Sequence, residues 1–336
     1  MSRRALLTLL AACTGLPALA APSPAETFEQ VWTLIERRYI YRARFEPRSP
    51  LSPLPLPRKS DAALPDALRR ELLWQLGTWQ DVRDYYLERI RQTADADAAQ
   101  RLIGEAVSWL RDDHSVYYPP ERARQVRALY PDLPCLPLSG ATETSSRQVS
   151  AQLLGTVGVL RIPDFEGFAR PAEVEAALAD LETRGARAFV LDLRGNPGGQ
   201  LLAMTRTAAL FERGLLWRLR LRGSFPTPLP TWPPLGTPRF HQPLAILIDA
   251  NVHSAAEGFA GGLQARGRAR IFGQTPSAGN VEAVMPYCLE GGALVMVATG
   301  QLAPMGSASW EGQGVRPDET GGLEEAARWA GSQASD

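Results

Sequence analysis

The feature that most constrains the fold of this chain is a change of texture at about Gly155. Beyond it, short runs of β-branched and large apolar residues alternate with segments whose apolar residues recur every three or four positions. VGVLRI (157–162) precedes a helical pattern over 172–183, with Val174, Ala177, Leu178 and Leu181 on one face. ARAFVLDL (186–193) then precedes a helix expected over 201–212. The stretch 244–263, LAILIDANVHSAAEGFAGGL, repeats the theme as a strand, a turn and a small-residue helix opened by Ser254. Such alternation of period-two and period-3.6 segments predicts an α/β layer with parallel strands. RARIFG adds a strand, and VMPYCLEGGALVMVAT reads as a hairpin turning at Gly291-Gly292.

Upstream lie three amphipathic helices. TFEQVWTLIERRY places Phe28, Val31, Trp32 and Ile35 on one face; the second helix is expected over 79–93 and the third over 97–111. The third runs into Arg111-Asp112-Asp113-His114-Ser115, with Pro119-Pro120 expected to end it, so His114 is presented at a helix end. The organisation expected is therefore an N-terminal helical domain over 24–125, a linker over 126–154 and an α/β domain over 155–336. The segments 47–60 and 225–234 carry prolines too densely for helix or central strand and read as exposed loops.

Residues 1–20 read as an export signal, with Arg3-Arg4 before an apolar run and small residues at Ala18 and Ala20. Leu10-Ala11-Ala12-Cys13 also resembles a lipobox, which would leave a lipidated Cys13 and a membrane association. Ser2-Arg3-Arg4 resembles a twin-arginine start. Either route leads to the bacterial periplasm or cell surface, an oxidising compartment in which Cys135 and Cys288 could pair or remain separate thiols. The formal net charge is zero, which excludes a nucleic-acid-binding signature.

Ser254 has two readings. With Glu257 three residues on, it forms a capping box, an ordinary helix-start device; alternatively it is a nucleophile. A nucleophilic serine needs a base, and the chain has three histidines, His114, His241 and His253. His253 is adjacent and points elsewhere, His241 precedes its strand at a surface edge, and His114 suits presentation across a domain junction. The acids available to orient a histidine are Glu311, Asp318, Asp112 and Asp113. Among the 36 basic residues the one lysine is Lys59, in a proline-rich loop, a poor place for buried chemistry. Gly195-Asn196-Pro197-Gly198-Gly199 lacks the spacing and lysine of a phosphate loop; it is either a tight turn or an oxyanion site using the amides of Gly198 or Gly199.

VLRIPDF, LDLRGNPGG, VHSAAE and WEGQGVRPD occur in the order found in the tail-specific, or C-terminal processing, serine peptidases, and the chain resembles that family over most of residues 26–320. Its resemblance is greatest to members related to the core of tricorn protease. The resemblance implies a crotonase-like (ClpP/crotonase) α/β fold, a polypeptide substrate and neither metal nor cofactor. It places the nucleophile at Ser254, the histidine base at His114, the glutamate at Glu311, and the oxyanion amides at Ala255 and Gly198. Where many members carry a lysine base, this chain has Ser277-Ala278-Gly279-Asn280, so the Ser-Lys form is excluded. About 40 residues separate Pro120 from Val157, too few for the PDZ domain many members insert there. The rival readings are an inactive relative that binds a ligand or protein on the same scaffold and an esterase of the α/β-hydrolase kind. Val252 and Ala256 disfavour the esterase, since they stand where its nucleophile elbow carries glycines. A true crotonase acting on coenzyme A thioesters fits an exported chain poorly.

Overall fold

A computed structural model describes residues 21–41, 79–110, 112, 114–129 and 147–334. The export segment with Cys13, the loop with Lys59, Asp113 and Cys135 lie outside these residues. The chain has a mixed α/β fold. Helix α1 (Pro24–Arg38) starts at a complete capping box: Ser23 Oγ accepts from the Glu26 N–H, and the Glu26 carboxylate accepts from the Ser23 N–H at 2.8 Å. Helices α2 (Trp79–Gln92) and α3 (Ala96–Ser108) follow. Their apolar faces do not make a core of their own. Phe28, Val31, Ile35, Tyr86, Ile103 and Val107 pack into one cluster with Leu289, Val295 and Val297 from the far end of the chain.

The prolines after α3 act differently from the expectation. Residues 116–118 form a short strand, β1 (Val116–Tyr118), and Pro120 opens helix α4 (Pro120–Leu129) instead of ending a helix. Proline fits a first helical turn because the N–H it lacks has no partner there.

The α/β layer is a six-stranded sheet. It contains β2 (Ser150–Leu154), β3 (Val157–Arg161), β4 (Ala188–Asp192), β7 (Leu244–Leu247), β8 (Arg270–Gly273) and β11 (Glu319–Thr320), in the order β11-β8-β7-β4-β3-β2. All neighbours are parallel except β2 and β3. Every residue of β4 and β7 is buried, as expected of parallel strands covered on both faces. One face packs against α5 (Arg170–Thr183), α6 (Leu201–Ala208) and α7 (Ala255–Ala265); the other is closed by the C-terminal helix α8 (Leu323–Gln333). Helix α6 ends four residues before its expected limit.

A second sheet is antiparallel. Its central strand β10 (Leu294–Pro304) pairs with β9 (Glu282–Cys288) as the Gly291-Gly292 hairpin, and also with β1 and with β5 (Leu215–Leu221). At its edge lies β6 (Thr227–Pro230), inside a segment expected to be a loop. An edge strand tolerates Pro228 and Pro230 because one side of its ladder needs no N–H.

Candidate active site

The parallel strands β4 and β7 deliver two turns to the same end of their sheet. Beyond β7 the chain reaches Ser254 at φ 53°, ψ −120°, the sole non-glycine residue with positive φ among the described residues. Such a conformation costs on the order of 1–3 kcal/mol and persists only where the surroundings impose it. It is also wrong for an N-cap, which takes extended backbone. Accordingly the Ser254 hydroxyl makes no capping hydrogen bond. Only the reciprocal half of the box forms, with the Ser254 N–H donating to Glu257 at 3.0 Å.

Glu257 is the residue that imposes the turn. It is fully buried and also accepts from Ser277 Oγ at 2.6 Å, Gly279 N–H at 2.6 Å and Asn280 N–H at 2.8 Å. With four donors on its two oxygens it is a structural anchor rather than an acid free for chemistry.

The glycine turn after β4 lies directly against the serine. A Cβ on Gly198, at φ 96°, would stand 2.8 Å from Ser254 Cβ and 2.9 Å from the Ala255 nitrogen, so only glycine permits the approach. Asn196 staples the two turns together: its Nδ2 donates to Ile162 O at 2.9 Å, and its carbonyl accepts from the His253 N–H at 3.0 Å. That staple corrects one expectation. The Gly198 N–H donates to Asn196 Oδ1 at 2.8 Å and is occupied. The amides of Gly199 and Ala255 donate no hydrogen bond among the described residues, and both residues line the cavity that holds Ser254. The pair suited to an oxyanion is therefore Ala255 with Gly199.

That cavity, about 840 Å³, is walled by Ser254 and Ala255 on one side and by the antiparallel sheet on the other. His114 and Glu282 line it too. His114 is held by Asp112, whose Oδ1 accepts the backbone N–H groups of His114, at 2.9 Å, and of Ser115. Ser115 Oγ in turn accepts from the Ala298 N–H of β10 at 3.0 Å. The histidine thus rides on the antiparallel sheet and the serine on the parallel one. No described hydrogen bond joins them, as is common before substrate tightens a site.

The acid beside the histidine is not the one expected. His114 Nδ1 lies 3.0 Å from Glu282 Oε2, and the Glu282 side chain is fully buried. The distance is that of an ion pair. Glu311 stands one step back: its Oε2 accepts from the Val281 N–H at 3.0 Å, and its carboxyl adjoins Glu282. Burial works against a charged imidazole, but Glu282, with Asp112 and Glu311 behind it, outweighs burial and raises the His114 pKa. Burial likewise opposes ionisation of Glu282, yet His114 holds its pKa below the usual carboxylate value. Glu282 escaped sequence reading because it looks like an isolated acid; the available signal was a charge opening an otherwise apolar strand.

The other candidates fall elsewhere. His241 is exposed, and His253 Nδ1 faces Asn280 Nδ2 at 3.2 Å. Asp318 accepts from the Ile271 N–H at 2.8 Å, tying down the end of the parallel sheet. Cys288 is disulfide-bonded, its partner lying outside the described residues. No cluster of three metal-ligating side chains occurs among the described residues, and none of their helices is long and apolar enough to cross a membrane.

Residues 156–320 match the family model described as Peptidase family S41. A carboxyl-terminal-processing protease of Picosynechococcus sp. is 34% identical over 120 residues, 35% of this chain and 28% of that protein. This chain thus spans little more than a quarter of that relative's length. The fold is shared with a lipoprotein from Streptococcus agalactiae (TM-score 0.67, 17% identity, 94% of this chain and 98% of that one). It is shared as well with the photosystem II D1 C-terminal processing protease (TM-score 0.62, 16% identity, 94% and 99%). The matched segment, in which the strained serine and both turns of the site fall, is a peptidase family S41 domain.

Proposed function

We propose that this protein is a serine peptidase that hydrolyses polypeptides by acyl transfer on a crotonase-like scaffold. The observation that carries the reading is the backbone of Ser254. A structural cap would relax to extended geometry and use its hydroxyl; this serine is held strained, its hydroxyl uncommitted, on a cavity shared with a histidine. In the reaction Ser254 Oγ attacks the carbonyl carbon and its proton passes to His114. The oxyanion accepts hydrogen bonds from the Ala255 and Gly199 amides. The C–N bond then breaks as His114 returns the proton to the leaving amine, and water repeats the sequence on the acyl-enzyme.

Export supports the same picture: the chain reaches the bacterial periplasm or cell surface, either cleaved after Ala20 or anchored through a lipidated Cys13. A disulfide at Cys288 fits an oxidising compartment. The test is covalent labelling with a fluorophosphonate probe. The wild type labels at Ser254, and labelling is lost in Ser254→Ala and falls by orders of magnitude in His114→Ala. A folded wild type that takes no label overturns the peptidase reading in favour of a binding protein; labelling unchanged in His114→Ala removes the histidine as base.

A further inference from the structure

Three carboxylates surround His114, and one of them pairs with its ring. Asp112 Oδ1 is engaged by two backbone N–H groups of its own turn. Glu311 Oε2 is engaged by the Val281 N–H. Glu282 alone reaches the ring, with Oε2 3.0 Å from Nδ1. Its place is fixed by strand register, since Glu282 opens β9 opposite Gln301 of β10 and its side chain is wholly buried.

A buried carboxylate is costly unless it is paired and hydrogen-bonded, so an acid at this position in an apolar strand calls for a specific use. An imidazole with an acid on Nδ1 keeps its proton there and leaves Nε2 as the acceptor, which is the tautomer a base for Ser254 requires.

We infer that Glu282 is the positioning residue of the catalytic set, holding His114 in the base-competent tautomer and stabilising its charged form, while Glu311 acts through Glu282 and not on the histidine. The inference rests on the peptidase reading above and deepens it. Together the four residues form a Ser254, His114, Glu282, Glu311 relay that crosses from one sheet to the other. Protons balance within it: the one taken from Ser254 resides on His114 and returns to the amine, with neither glutamate needing to exchange.

The experiment compares Glu282→Gln, Glu282→Asp and Glu311→Gln in the full chain, after wild-type labelling at Ser254 has been established. Glu282→Gln keeps the shape and removes the charge; kcat falls roughly 10²- to 10⁴-fold with KM within about threefold. The acidic limb of its kcat/KM profile moves to lower pH. Glu282→Asp recovers part of the loss, and Glu311→Gln costs less than Glu282→Gln. Full kcat in Glu282→Gln, or a larger loss in Glu311→Gln, overturns the assignment; a lowered melting temperature with unchanged kcat marks Glu282 as merely structural. If Glu282→Gln does not fold, nitrogen-15 NMR of the wild-type imidazole decides, the signal being assigned by its loss in His114→Asn. A neutral ring protonated on Nδ1 is expected; protonation on Nε2 overturns the inference. An unlabelled wild type would be a failure of the peptidase reading itself.

Discussion

At the scale of single residues, the strain at Ser254 sets two requirements against each other. Replacing Ser254 by glycine removes a conformational penalty of roughly 1–3 kcal/mol and adds about 0.5–1 kcal/mol of unfolded-state entropy. No capping bond is lost, because none is made. Ser254→Gly is therefore expected to be inactive yet about 1 kcal/mol more stable than the wild type in urea denaturation. A variant less stable by that amount would mean that the hydroxyl had a structural use. His114 and Glu282 make a second prediction at this scale. The histidine's pKa is raised, so its share of stability is complete below its unfolded value of about 6.5 and is lost as pH climbs through the folded one. Glu282 has a lowered pKa, so its share is present above about 4.3 and disappears as pH falls through the folded value. The stability difference between wild type and Glu282→Gln should accordingly be greatest at mildly acidic pH and shrink towards alkaline pH. Activity runs the other way on the upper side, since the base must be neutral. At this scale the serine and histidine were legible from residue types and neighbours. Glu282 was not, because its partner is 168 positions away and only the fold brings the two together. Gly198 was legible as a point of close approach, but which amide stays free depends on the side-chain rotamer of Asn196.

Elements carry the next level of information. The parallel layer could be read from its sequence because buried strands are continuous apolar runs and its helices show a clear stripe, as β4 and α5 do. The antiparallel sheet was read less well: β6 is disguised by its prolines, and β1 by a proline pair that starts a helix. Glu257 shows why a local motif can mislead even when half of it forms. The spacing that suggests a capping box here serves a carboxylate that gathers the serine turn and the 277–280 loop around four hydrogen bonds. In Glu257→Gln an amide nitrogen would face donors, leaving buried N–H or O–H groups unpaired at a cost of about 3 kcal/mol. We expect a matching fall in urea-derived stability and a loss of fluorophosphonate labelling exceeding what unfolding alone accounts for. Wild-type labelling in that variant would show that Ser254 holds its conformation without the anchor.

For the molecule as a whole, the helices at the N-terminal end share a core with β10, the strand at the centre of the antiparallel sheet. The division into a helical and a catalytic region follows the order of the chain more closely than it follows the packing. Calorimetry of the full chain should show one unfolding transition rather than two. The same arrangement places the serine on one sheet and the histidine on the other, with no hydrogen bond between them. Their alignment is only as good as the fit between two separately laddered layers, and a nascent or partly unfolded chain has the fit in neither. In urea, turnover and helical circular dichroism should therefore fall together. If the peptidase reading holds, the fold is its own safety catch: the serine and the histidine meet only once both sheets are in place, so an unfolded chain has nothing with which to cut itself.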